Sequence, residues 1–188
     1  MYAYLKKLNK TSVFVIGVLL LFVVLAAAAT YYIHDKAYLD SINEANKTLF
    51  NVDAENAFVD MQGDKAELSN YRGKILIVND WASWSPFAVE ELPLLEKIAA
   101  EYTEKDVVVL AVNRMESSDQ AQRFLNTLSP LSHVKIVIDT KDYFYGVSGG
   151  YAMPETLIYN EDGVLIEHIR GTLQFDTLHS KIEQLLRQ

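Results

Sequence analysis

The sequence predicts an α/β domain with a central mixed sheet flanked by helices, carried behind one helix of membrane-spanning length. Three observations predict it. Apolar runs at Ile75–Asp80, Val107–Val112 and Val134–Ile138 alternate with stretches of helical periodicity, the pattern of βαβ units around a parallel core. Two further strand pairs flank Gln62-Gly63-Asp64 and Asn160-Glu161-Asp162-Gly163, so hairpins add antiparallel strands. Finally, Val13–Ile33 is a run of 21 residues without a charge.

That run comes first in the chain. As a helix rising about 1.5 Å per residue it reaches about 31 Å, enough to cross a bilayer. Residues 1–12 carry Lys6, Lys7 and Lys10 and no acid, which favours an N-terminus on the cytoplasmic side. A cleaved signal peptide is the competing reading: Val13–Leu25 would be its apolar region and Ala26–Ala29 its small-residue cleavage site. The run continues through Tyr31, Tyr32 and Ile33, with tyrosines suited to the interface, and an uncleaved anchor over residues 13–33 is preferred. Either reading places the rest of the chain outside the cytoplasmic membrane, and the uncleaved anchor makes it a single-pass protein. Residues 34–50 read as a polar spacer with a helical turn or two.

The folded domain is expected over residues 51–188. Ala57–Met61 and Lys65–Leu68 form the first hairpin, and Ile75–Asp80 is a buried strand. In the helix expected over Pro86–Tyr102, Val89, Leu92, Leu95, Ile98, Ala99 and Tyr102 recur at helical spacing, with Pro86 in the first turn and a kink at Pro93. Val107–Val112 is uniformly apolar, as a central strand covered on both faces should be. Ser117-x-x-Gln120 has the form of a capping box ahead of Ala121, Phe124, Leu125 and Leu128. Val134–Ile138, the hairpin of Thr156–Tyr159 and Val164–Ile169, and a helix marked by Leu178, Ile182, Leu185 and Leu186 complete the order.

Net charge is −8, and beyond residue 33 there are 14 basic against 25 acidic residues, a net −11. That balance argues against nucleic acid and against docking on anionic lipid. There is no cysteine, hence no disulfide framework. The four histidines, His34, His133, His168 and His179, are not paired at i, i+4, and no glycine-rich phosphate loop is present; neither a metal site nor a cofactor is expected.

Five local strings, in order, carry a resemblance: Leu68-Ser69-Asn70-Tyr71-Arg72-Gly73-Lys74, Val78-Asn79-Asp80-Trp81-Ala82-Ser83-Trp84-Ser85-Pro86, Glu91-Leu92-Pro93, Tyr145-Gly146-Val147 and Met153-Pro154-Glu155-Thr156. Together they resemble the TlpA/ResA-like group of membrane-anchored, extracytoplasmic thiol-disulfide oxidoreductases, and over residues 51–188 the resemblance implies a thioredoxin-like fold. It also implies that Ser85 stands in the place of the attacking cysteine and Ala88 in that of the resolving one. Phe87 enlarges a usually small position, Asp80 replaces an apolar aromatic, and Pro154 matches the cis-proline.

A thiolate is the nucleophile of disulfide exchange, so the chain is expected to be redox-inactive despite its family. A serine hydroxyl needs an adjacent base, and none is placed by sequence, so no catalytic residue is expected; Ser85 reads as a helix N-cap and Ala88 as packing. A buried Asp80 must find a partner or stay neutral, and a structural bond to neighbouring backbone or to Arg72 is expected rather than chemistry. The resemblance implies a peptide groove lined by Trp84, Phe87, Met153 and Pro154, with Tyr151 nearby. Trp84 and Phe87 are expected at the surface, Trp81 and Met153 in the core, and Tyr143, Phe144 and Tyr145 either extend the patch or pack under it. The leading expectation is therefore a tethered domain that holds extracytoplasmic or membrane protein partners through the former active-site groove. The alternatives are a thiol-disulfide oxidoreductase by family membership and a purely structural spacer.

Overall fold

The computed structural model describes residues 10–49 and 58–187; Ala57 and the expected domain start at residue 51 lie outside the described residues. The chain divides into two units, Met1–Asp40 and Ser41–Gln188. In the first, helix α1 begins at Lys10, and it runs unbroken to Leu49. The stretch read as a spacer with a helical turn or two is thus continuous helix over its described length. Its scattered apolar residues hide the signal, because one helix face suffices where only a few positions are covered. Thr11–Glu44 is the one helix among the described residues long and apolar enough to cross a membrane.

In the second unit the strands are β1 (Phe58–Asp60), β2 (Lys65–Ala66), β3 (Ile75–Trp81), β4 (Val107–Arg114), β5 (Lys135–Asp139), β6 (Glu155–Tyr159) and β7 (Leu165–Arg170). They form one sheet in the order β2-β1-β5-β4-β3-β6-β7. β3, β4 and β5 are parallel, and the hairpins add antiparallel strands at both sides. β4 therefore lies in the middle, as its unbroken apolar sequence predicts. The helices are α2 (Ala88–Glu101), α3 (Ser118–Leu125), α4 (Tyr143–Val147) and α5 (Phe175–Leu185), with a short 3-10 turn at Leu68–Tyr71.

Alternation along β3 divides the core. Ile75, Ile77 and Trp81 face Leu92, Leu95, Ile98 and Tyr102 of α2 and Leu178, Ile182 and Leu185 of α5, all buried in one cluster. Each of these large apolar side chains contributes about 1.5–3 kcal/mol by leaving water. Trp81 packs its ring 5.7 Å from that of Phe124. Leu76, Val78 and Asp80 point to the other face, where α4 lies and Phe144 meets Phe58 edge-on.

The helix ends depart from expectation in two places. α2 starts at Ala88, not Pro86, and its N-cap is Phe87 with helical dihedrals and no side-chain cap. Ser117 caps α3 as expected, accepting from the Gln120 N–H at 3.3 Å, but Leu128 lies beyond that helix, packed against the core.

Two contacts fasten the periphery. Asn43 donates from Nδ2 to the Leu165 carbonyl at 3.4 Å and accepts the Leu165 N–H on Oδ1 at 2.7 Å, beside buried Ile42. Glu96 in α2 accepts the N–H groups of Ser132, His133 and Val134 and the His133 ring nitrogen. Burial opposes its ionisation, but these donors win and hold its pKa down at about 2. The stabilisation is therefore present in full above the ordinary value of 4.5 and is lost as pH falls through about 2. Glu96→Gln is expected to lower unfolding free energy by about 2 kcal/mol at neutral pH, measured by urea denaturation of the detergent-solubilised chain, with the difference closing on acidification.

Candidate functional site

The segment after β3 is built by two tight turns. The Ser85 N–H donates to the Ala82 carbonyl at 3.0 Å, and the Ser85 carbonyl accepts from the Ala88 N–H at 3.2 Å. Ser85 is buried at 4% exposure and Ala88 at 1%. Ser85 thus does not cap α2: the turn places it two residues before Phe87, and its backbone closes the turn instead. Both positions that the resemblance assigns to thiols lie beneath the surface, while Trp84 (59%) and Phe87 (40%) stand out of it.

A single carboxylate fixes this segment. Glu116, 3% exposed and just past β4, accepts the Ser83 N–H at 2.8 Å and the Ser83 hydroxyl at 2.5 Å. It also accepts from Asn113 Nδ2 at 2.7 Å and Gln120 Nε2 at 2.5 Å. The chain reaches Glu116 through Met115, a non-glycine residue at φ 58°, exposed at 66%. The Gln120 side chain is spent on Glu116 and not on the reciprocal bond of a capping box.

Across the sheet edge, the 149–154 loop enters β6 through a cis Met153–Pro154 bond. Pro154 is buried, Met153 is half-buried rather than in the core, and Tyr151 is 85% exposed. Gly149 has φ 71°, which favours glycine. A side chain at Gly150 would meet the Tyr145 ring at 2.4 Å, so this glycine answers to close packing. Tyr145 donates its hydroxyl to the Ala152 carbonyl at 3.3 Å and lies under the Arg114 guanidinium, 3.4 Å from the ring centroid. Arg114 in turn pairs with Asp142. Of the aromatic run, Phe144 is core, and Tyr145 packs beneath the loop.

Behind the loop lies a polar cluster that the sequence did not reveal. Glu155, fully buried, accepts the N–H groups of Tyr151 and Ala152, both at 2.7 Å, and binds His168 Nε2 at 2.8 Å. Burial works against its charge, but these donors prevail and lower its pKa. An acid opening an apolar strand at Glu155, and a histidine inside another at His168, were the available signals. Asp80 shares that face, directly opposite Glu155 in the β3–β6 register. It has no hydrogen-bond partner on either carboxyl oxygen, contrary to the expected backbone or Arg72 contact. Burial drives its pKa well up, Arg114 pulls it back in part, and Glu155, Asp139 and Asp142 push it further. On the opposite face Glu91 accepts the Leu173 N–H at 3.0 Å and is also raised by burial. His133, His168 and His179 each bind a carboxylate, of Glu96, Glu155 and Glu101. No group of three or more metal-ligating side chains forms among the described residues.

The five candidate groove residues therefore fall on the two segments at this end of the sheet: Trp84 and Phe87 on the turn before α2, and Tyr151, Met153 and Pro154 on the loop before β6. Residues 46–168 match the model of the AhpC/TSA family. The chain belongs to that family. Among curated relatives, this AhpC/TSA member is 30% identical over 145 residues to the thiol-disulfide oxidoreductase ResA of Halalkalibacterium halodurans, covering 77% of this chain and 79% of that one. It is 30% identical over 129 residues to the thioredoxin-like protein YneN of Bacillus subtilis, covering 65% and 72%. Among solved structures it resembles the exposed lipoprotein thioredoxin of Streptococcus pneumoniae, with a TM-score of 0.62 at 21% identity over 70% of this chain and all of that one. The thioredoxin-like fold and the TlpA/ResA-type membership thus stand, and so does the contrast between that family and a chain with no cysteine.

Two outcomes follow from this geometry. Glu116→Ala leaves the Ser83 N–H and Asn113 amide without an acceptor and should cost about 2–4 kcal/mol, with a fall in the near-ultraviolet dichroism from Trp84; a loss under half a kcal/mol would contradict the clamp. Asp80 carries a raised folded pKa, so its stability contribution is full below the ordinary value of 3.8 and declines as pH rises toward the folded value. Asp80→Leu should therefore stabilise the domain, by a margin that widens from mildly acidic to alkaline pH in thermal unfolding.

Proposed function

We propose that this AhpC/TSA-family protein is a redox-inactive docking module, anchored in the cytoplasmic membrane by α1 with its domain on the outer side. It would hold extracytoplasmic or membrane protein partners through the surface around the lost thiols. One observation carries the reading: Ser85 and Ala88 are buried and offer no thiol, while Trp84, Phe87 and Tyr151 around them stay exposed. Large exposed apolar side chains grouped on rigid supports are the usual mark of a protein contact. The half-buried Met153 brings backbone beside them that suits pairing with an extended segment. Lys6, Lys7 and Lys10 before the apolar run support the orientation.

The reading is tested by a photo-crosslinking residue at Phe87 in the membrane-bound chain. A discrete protein partner is expected, and it should be lost on Trp84→Ala; capture that is indifferent to Trp84, or none at Phe87 beside capture on the acidic surface, would overturn it. In a reductase assay with a small disulfide substrate the natural chain should show no turnover, while Ser85→Cys with Ala88→Cys tests whether the fold still supports exchange. Turnover by the natural chain would refute redox inactivity outright.

A further inference from the structure

We propose that the buried Asp80 holds a proton because it faces the Glu155 carboxylate, and that loss of this proton releases the 149–154 loop. The inference concerns the loop itself and stands whether or not that loop docks a partner.

The geometry is that of a closed box with one weak wall. Asp80 and Glu155 face each other on paired residues of β3 and β6, which puts their Cβ atoms about 5 Å apart on one face of the sheet. Both residues have no exposed surface. Glu155 is held as a carboxylate by two backbone N–H groups and His168. Asp80 has no donor on either oxygen, and a buried carboxylate without donors is untenable, so the proton of the pair resides on Asp80. The charged and titratable groups around the two acids are Arg114 on β4, Asp139 on β5, and Asp142 and Tyr145 at α4, which face Asp80, and His168 and Arg170 on β7, which face Glu155. Arg114 is already committed to Asp142, and Arg170 reaches Glu155 only at 3.9 Å.

When the Asp80 proton passes to solvent, two carboxylates share the box. One of them must then be hydrated. The strands on either side are locked in the sheet, whereas the 149–154 loop is joined to the cluster through the Tyr151 and Ala152 N–H groups on Glu155 and carries Gly149 at its approach. Opening there lets water reach both acids, and the two N–H groups exchange Glu155 for water.

The test is amide hydrogen exchange of the full chain in lipid nanodiscs, corrected for intrinsic rates, from about pH 5 to about pH 9. Protection at Tyr151 and Ala152 should fall by about tenfold or more as pH rises, while protection at Leu110 in β4 stays constant. Asp80→Asn should keep the loop protected throughout. Unchanged loop protection in the natural chain, a parallel loss at Leu110, or the same pH dependence in Asp80→Asn would overturn the proposal. Should Asp80→Asn fail to fold, Asp80→Leu takes its place. Carbon-13 titration of the natural chain then provides an independent reading: the Asp80 and Glu155 carboxyl resonances must move together in the alkaline step, and separate titrations would refute the pair.

Discussion

Irregular backbone at the ends of the strands has N–H groups that no sheet partner can reach, and in this domain glutamate side chains meet that need. Glu116 takes the Ser83 N–H after β3, Glu155 takes Tyr151 and Ala152 before β6, Glu91 takes Leu173 before α5, and Glu96 takes three successive N–H groups before β5. Glu155, Glu91 and Glu96 each act as a short strut from a regular element to a loop, and Glu116 ties the loop after β4 to the loop after β3. A charged acceptor makes a stronger bond than a neutral one, and it is worth most where water is excluded. The placement of Trp84, Phe87 and Tyr151 follows from these struts more than from any contact the exposed rings themselves make.

The same economy explains where the domain carries strain. Met115 sits at φ 58° because the chain must turn sharply between Arg114, which stacks on Tyr145, and Glu116, which reaches back to Ser83. An L-residue there costs roughly 1 kcal/mol or more, offset by the four hydrogen bonds that Glu116 then completes. Asp80 is a cost without a visible offset inside the static fold, and such residues tend to mark a second requirement beyond folding.

Most of the sheet was legible in the sequence because apolar runs and turn residues are local signals. β3, β4, β5 and both hairpins follow them, and the unbroken apolar character of Val107–Val112 even located the middle strand. The start of α2 was not legible: Pro86 suits a first turn, but the Ala82–Ala88 turns use up that segment before the helix begins. The clamps were invisible for a different reason. Glu116 meets Ser83 across 33 positions and Glu155 meets His168 across a hairpin, and periodicity carries no information about such pairings. Trp84 and Phe87 were read as surface residues from their place in a loop, whereas Met153 was assigned to the core on hydrophobicity alone and lies at its margin.

The Asn43 contact with Leu165 also bears on how copies of the chain meet one another. β7 is the outermost long strand of the sheet, and an outermost strand invites neighbours to add to it. By occupying both the donor and the acceptor of Leu165, a side-chain amide imitates the strand that would otherwise pair there. Those two groups are closed to a second copy of the chain, so the Asn43 amide blunts the start of β7 against edge-to-edge polymerisation.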